Sequence, residues 1–393
     1  MTIEPVGAAR ILLVFGTRPE AIKMLPLLAE LRRRPGVAPI ALSTGQHGAM
    51  LDQVLAAFGE RREHALPRLP RGLSLSESFA RVLTGVAEVI AAEHPDLVLV
   101  HGDTTTALAG ALAAFQARVP IGHVEAGQRS FDLDRPWPEE MHRVAVDAMA
   151  DLLFAPTPRA AANLRAEYRA RGRILVTGNT GIDALLDLRA RLMRDATLAA
   201  DAEAALPPAD PAKRLLLVTA HRRETLDDGR LLGICEAVAA LAARGDVELV
   251  WPLHSNPAVR GPVLRRLAGV AGVHLLDPLD PLAMVALLGR ATLVLTDSGG
   301  LQEEAPALSK PVLVLRETTE RPEVVEEGVA RLVGTDPARI VAEAARLLDD
   351  AAAHAAMARA VFPFGDGSAA RRIADAIEAW HGQPAPVQMA LAE

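Results

Sequence analysis

Among the side chains in this sequence suited to moving protons are Asp103, Glu125, the adjacent pair Glu139 and Glu140, and His221. Carboxylates and imidazoles give and take protons near neutral pH when burial or a neighbouring charge tunes them. Cations stand in similar places: Arg18 and Lys23 in the first motif, Arg222 beside His221, and Arg316 and Arg321 later. Guanidinium groups placed just after strands are candidates to clamp phosphate oxygens, and Arg18 is the strongest of them. The run Asp297-Ser298-Gly299-Gly300 offers a second kind of anion site. Glycines at a helix start let an anion reach unpaired N–H donors and the positive end of the helix dipole, an arrangement that would suit a diphosphate.

Each of these residues also has a purely structural reading. Asp103 could cap the Ala-rich helix that begins near Thr104, and Glu139 and Glu140 could complement the dipole of a helix from Met141. Glu303 and Glu304 could do the same after Gly300, or Glu304 could accept from ribose hydroxyls. Glu125 ends an apolar run at a sheet edge, where a carboxylate needs partners or water, so both readings stand. His221 could be a histidine satisfied by a nearby carboxylate. His221, His254 and His274 are dispersed and Cys235 is the one cysteine, so no metal cluster is expected. Neither G-x-G-x-x-G nor a Walker A sequence follows a strand, which argues against a dinucleotide oxidoreductase and an NTPase.

The elements that must hold these residues alternate between short apolar runs and helical stretches, the mark of parallel sheets covered by helices. Strands are expected at 11–15, 39–44, 97–101, 121–125, 152–155 and 174–177, then at 214–219, 248–253, 274–276, 293–296 and 311–315. The polar clusters fall directly after strands. Ligands gather at the carboxyl ends of such strands, so two sheets facing each other would line one cleft. An Ala/Asp-rich stretch with Pro207, Pro208 and Pro211 marks a connector, with a hinge near 179–183. The expected domains are 1–180, completed by a helix at 368–382, and 181–367. A chain of 393 residues fits two such cores. A net charge of −7 argues against a nucleic-acid partner. No apolar run approaches the ~20 residues of a membrane helix. With one cysteine and no export signal at the start, the cytoplasm is expected.

Taken in order, the motifs resemble the non-hydrolysing UDP-N-acetylglucosamine 2-epimerase family. They are the segments 14–24 around Gly16-Thr17-Arg18-Pro19-Glu20, Val100-His101-Gly102-Asp103-Thr104, Gly122-His123-Val124-Glu125-Ala126-Gly127, Pro136-Trp137-Pro138-Glu139-Glu140, Thr219-Ala220-His221-Arg222-Arg223-Glu224, 296–306 and 318–323. The resemblance runs from residue 11 to about 367. It implies two Rossmann-like domains of the glycosyltransferase B type (GT-B), with UDP held mainly by the second and a last helix crossing back to the first. It implies catalytic positions at Asp103, Glu125, Glu139 and His221. It puts Arg18, Lys23 and His221 near the diphosphate, Ser298, Gly299 and Gly300 on phosphate oxygens, and Glu304 on ribose. Arg222, His254, Met284 and Arg321 complete the implied UDP-binding set. No cofactor and a homodimer are also implied.

Departures from the family pattern bear on substrate. Gln128 stands where relatives often have Leu, and Met284 where they often have an aromatic beside the uracil. Some bacterial members bind a second UDP-N-acetylglucosamine as activator. Gln46, His47 and Arg71 lie in those segments, together with Arg222 and His254, but Gly48 and Gly72 replace the usual polar partners. Arg129-Ser130-Phe131-Asp132 is similar to relatives that epimerise a diacetamido uronic acid, whereas 136–140 is closer to enzymes of the simpler amino sugar. The rival readings are a hydrolysing relative, a glycosyltransferase on the same fold, and a nucleotide-sugar-binding protein without chemistry.

Overall fold

The computed structural model describes residues 7–46, 48–70, 72–167, 170–222 and 229–382; His47 and Arg71 lie outside them. The chain divides into two compact units, 1–184 with 365–393 and 185–364. The division falls within the helix Thr180–Arg194.

The first unit is built on β1 (Ala9–Phe15), β2 (Val37–Ser43), β3 (His64–Ala65), β4 (Leu97–His101), β5 (Ile121–Val124), β6 (Leu152–Ala155) and β7 (Arg173–Val176). They form a parallel sheet in the order β3-β2-β1-β4-β5-β6-β7. Both faces of its centre are covered. Ile11 to Phe15 and Leu97 to Val100 are fully buried, which is why these strands read as unbroken apolar runs. β3 escapes the sequence reading because two residues carry no period. The strand expected at 121–125 stops at Val124, because Glu125 takes a left-handed backbone with φ 70°.

The second unit carries β8 (Arg214–Thr219), β9 (Val247–Pro252), β10 (Val273–Leu276), β11 (Leu293–Thr296), β12 (Val312–Val314) and β13 (Ala330–Leu332). Their order is β10-β9-β8-β11-β12-β13, again parallel. β13 was hidden in the sequence by Arg331 at its centre. Trp251, Ile234 and Leu293 lie in its core together with Cys235, whose thiol is pushed up to about 11 by burial.

Helix starts follow local chemistry. Thr17 and Ser74 each head a capping box with the Glu three residues on. Proline opens the helices Pro158–Ala166, Pro257–Leu267, Pro281–Arg290 and Pro337–Asp349, where its missing N–H costs nothing. The last helix, Ala369–His381, belongs to the first unit. Its Ser368 makes no capping bond; instead the Asp183 carboxylate accepts from Ala369 N (3.2 Å) and Ala370 N (2.8 Å). Arg34 then ties it to Asp375 (2.8 Å) and Glu378 (2.7 Å). Among the described residues no helix is long and apolar enough to cross a membrane.

In each sheet the chain reverses its direction of winding beside the first strand. β1 lies between β2 and β4, and β8 between β9 and β11. These are the switch points where the loops beyond the strand ends part and leave room for a ligand.

Candidate active site

At the first switch point, the loops after β1, β4 and β5 meet. Glu20, buried within the helix Arg18–Arg32, accepts from Gly16 N (3.1 Å), Thr17 N (2.6 Å) and the Thr104 hydroxyl (2.5 Å). One carboxylate thus ties the β1 loop to the β4 loop. Burial raises its pKa, and the bonds from Thr104 and Thr17 oppose that rise. A Cβ at Gly16 would overlap the hydroxyls of Thr44 and Thr106. Gln46 closes this corner, its amide oxygen accepting from Thr106 (2.7 Å). Arg18, half-buried, is the first residue of its helix.

Asp103 is not the helix cap. Thr104 takes that role, accepting from Ala107 N (3.1 Å) at the start of the helix Thr105–Gln116. The Asp103 carboxylate instead pairs with Arg143, and its carbonyl accepts from His142 Nδ1 (2.9 Å). Arg143 also lies 3.1 Å from Glu140. The helix carrying these residues, Glu139–Met149, starts two residues earlier than Met141. Glu140 is buried and accepts from Ser130 N and Phe131 N (3.0 Å each). Its half-buried neighbour Glu139 makes none of these bonds. The structure therefore separates two acids that the sequence left equivalent.

Glu125 is the most heavily engaged of the proposed acids. Its carboxylate pairs with Lys23, accepts from Asn179 Nδ2 (2.8 Å) and lies 3.5 Å from His101 Nε2. A non-glycine residue at positive φ costs about 1–2 kcal/mol and persists where its surroundings over-determine it, most often at functional sites. Lys23, expected near the diphosphate, is thus in contact with an acid of the same cluster.

At the second switch point, β8 leads to His221 and β11 to Asp297. Asp297 Oδ2 accepts from the backbone N–H groups of His221 and Arg222 (2.8 Å each), and Oδ1 lies 3.5 Å from His221 Nδ1. The His221 ring stacks on His254, with centroids 5.4 Å apart and planes at 14°. Burial pushes His221 below the ordinary histidine range, with Arg222 and His254 acting in the same direction against the pull of Asp297.

Ser298 precedes the helix Gly299–Ala307 and makes no side-chain capping bond. This helix begins at Gly299, so Glu303 and Glu304 stand beyond its first turn. That removes the dipole reading. Glu303 instead accepts from Arg321 Nε (2.8 Å), and the Arg321 guanidinium stands 3.1 Å from where a Cβ on Gly299 would be. A cation therefore sits over Gly299. Glu304 is half-buried, 3.4 Å from the Cβ position of Gly300. Burial alone would raise Glu320, but Arg316, Arg321 and Arg222 hold it well below the carboxylate range. Met284 is half-buried on the helix Pro281–Arg290, and His254 is exposed.

The residues that the sequence missed touch the proposed ones: Asn179, His101 and Arg143. Asp297, which opens the expected anion run, accepts from the His221 and Arg222 backbone instead. Asn179 lies three residues beyond the end of β7, a placement that was available as a signal. Arg143 gives no such signal, since only the fold turns it to Asp103. Arg129 is turned inward: it pairs with Asp147 (2.7 Å) and Glu167 (2.6 Å) with its side chain 1% exposed, so it offers no cation to a sugar carboxylate. Among the described residues no group of three His, Cys, Asp or Glu is placed to hold a metal ion.

A family model described as UDP-N-acetylglucosamine 2-epimerase matches residues 29–378. The UDP-N-acetylglucosamine 2-epimerase of Escherichia coli K12 is 49% identical over 370 residues, covering 94% of this chain and 98% of its own. The crystal structure of UDP-GlcNAc 2-epimerase from Neisseria meningitidis bound to UDP-GlcNAc superposes with a TM-score of 0.90 at 40% identity, covering 94% of this chain and 100% of that one. The Methanocaldococcus jannaschii UDP-GlcNAc 2-epimerase in complex with UDP-GlcNAc and UDP gives 0.82 at 30% identity, covering 94% and 99%. With the match spanning nearly the full length of both sequence and fold, the chain belongs to the UDP-N-acetylglucosamine 2-epimerase family.

Proposed function

We propose that this protein inverts carbon 2 of UDP-N-acetylglucosamine, interconverting it with UDP-N-acetylmannosamine without an added redox cofactor. The observation that carries the reading is the pairing of Glu125 with Lys23 and of Asp103 with Arg143 at one switch point, in a chain of this family. The C2 proton has no carbonyl beside it, so its removal alone would leave an unstabilised carbanion. Expelling UDP as the proton leaves avoids that species. The C2–H electrons form the C1–C2 double bond, the C1–O electrons leave with UDP, and 2-acetamidoglucal results. Re-addition of UDP with protonation at C2 from the opposite face completes the inversion. This requires acid–base groups at the sugar and cations at the diphosphate of the same molecule.

Asp103, Glu125 and Glu139 share the proton transfers. His221 and Arg18 stabilise the departing diphosphate, with Lys23, Arg222 and Arg321 adding charge. Ser298, Gly299 and Gly300 hold phosphate oxygens, Glu304 the ribose, and His254 and Met284 border the uracil. The inward pairing of Arg129 favours the amino sugar over the uronic acid. The protein works in the cytoplasm as a homodimer, a reading supported by the buried lone Cys235 and by the exposed Phe131, Leu133, Trp137 and Met141.

Incubation with UDP-N-acetylglucosamine in heavy water, followed by NMR, tests the chemistry. The expected result is both C2 epimers at equilibrium, each deuterated at C2. Free N-acetylmannosamine would indicate hydrolysis, and binding without deuterium uptake would leave a nucleotide-sugar-binding protein.

A further inference from the structure

His123, on β5, is fully buried and lies beneath the candidate acids. Its Nδ1 is 2.6 Å from Asp147 Oδ1 and its Nε2 is 2.8 Å from the Gly102 carbonyl oxygen. A carbonyl oxygen only accepts, so Nε2 must donate. The other partner is equally one-sided. Asp147 Oδ2 already accepts from Gly127 N (3.1 Å) and pairs with Arg129 (2.7 Å). Burial alone would raise the Asp147 carboxyl, but His123 and Arg129 outweigh it and hold it below the usual range. An ionised carboxylate also accepts, so Nδ1 must donate as well.

Arg129 keeps that carboxylate paired, and it also donates through Nε (2.6 Å) and Nη2 (2.8 Å) to Glu167, whose side chain is 22% exposed. The requirement for two ring donors therefore rests on the hydrogen-bond partners of the ring. The groups facing that ring are Asp147 on the helix Glu139–Met149, the Gly102 carbonyl after β4, and, through Asp147, Arg129 and Glu167.

The bonds of this cluster end on the active loops. The Gly102 carbonyl immediately precedes Asp103, and Gly102 itself has φ 64°. Gly127 N is two residues beyond Glu125. We propose that His123 is a positioning residue, held doubly protonated by Asp147, that fixes the β4 and β5 strand ends so that Asp103 and Glu125 stand in a set relation to each other. This rests on the function proposed above, and it places the effect of His123 on turnover rather than on UDP binding.

The charge of the ring is tested without substrate. In the full chain with 15N-labelled histidine at neutral pH, both His123 ring nitrogens are expected to give protonated-type NMR signals, as their two acceptor partners require. The signals are identified by their loss in His123→Gln, or by through-space contacts to the Gly102 and Gly127 backbone if that variant does not fold. An unprotonated ring nitrogen would overturn the proposal. Asp147→Asn keeps the shape and removes the charge. One ring nitrogen should then lose its proton, and kcat should fall at least about tenfold while KM shifts less than about threefold. Unchanged kcat in a folded Asp147→Asn protein would also overturn it. Absence of C2 exchange in the wild type would remove the function proposed above but not the ring's charge, because the NMR measurement needs no turnover.

Discussion

At the scale of the residue, the same side-chain type is given different tasks by its partners. Glu139 and Glu140 are adjacent, yet Glu140 is buried against Arg143 and two loop N–H groups while Glu139 is left half-buried at the helix start. His221 shows the electrostatic side of this. Burial lowers its pKa, with Arg222 and His254 adding to that effect against Asp297, so at neutral pH the ligand-free ring is largely uncharged. A bound diphosphate would return negative charge beside it and raise the pKa again, so UDP binding takes up a proton. The affinity should therefore rise as pH falls from about 8 toward about 6, through the interval between the bound and free values, and level off below the free one. In calorimetry across this range, His221→Asn should keep only the titration of UDP itself. Identical pH profiles for variant and wild type would remove His221 from the diphosphate site.

At the scale of the element, strand ends and helix starts do the positioning. Glu20 joins two of them, closing its own capping box and reaching Thr104 at the next helix start. Glu20→Ala leaves one buried and two part-buried donors without their acceptor and should lower unfolding stability by about 2–3 kcal/mol. Glu20→Gln keeps an acceptor for both backbone N–H groups, and a loss of about 1 kcal/mol or less is expected. Thermal or denaturant unfolding measures both, and equal losses would mean that the carboxylate is not the tie described here. Much at this scale was legible in the sequence. The apolar runs at 97–101 and 214–219 gave β4 and β8 their bounds, because burial on both faces leaves a continuous signal. The capping reading of Asp103 gives way to Thr104 in the structure, since both residue types cap and spacing does not choose between them.

At the scale of the whole molecule, two sheets wound in the same way each expose a switch point, and one segment beside the first carries unusual apolar exposure. Phe131 is 74% exposed, Leu133 58% and Trp137 55%. Large apolar side chains concentrated in one surface segment are typical of an interface. Light scattering should accordingly give twice the chain mass, and Trp137→Arg should shift the mass toward the monomer at low concentration. A wild-type monomer at every concentration would remove the dimer. The sequence by itself determined every strand but β3 and β13, and the order of the motifs, because periodicity acts over a few neighbouring residues. Only the tertiary structure decided which acid meets which cation. Lys23 and Glu125 are 102 positions apart and Asp103 and Arg143 are 40 apart, and local spacing holds no record of partners brought together by strand order.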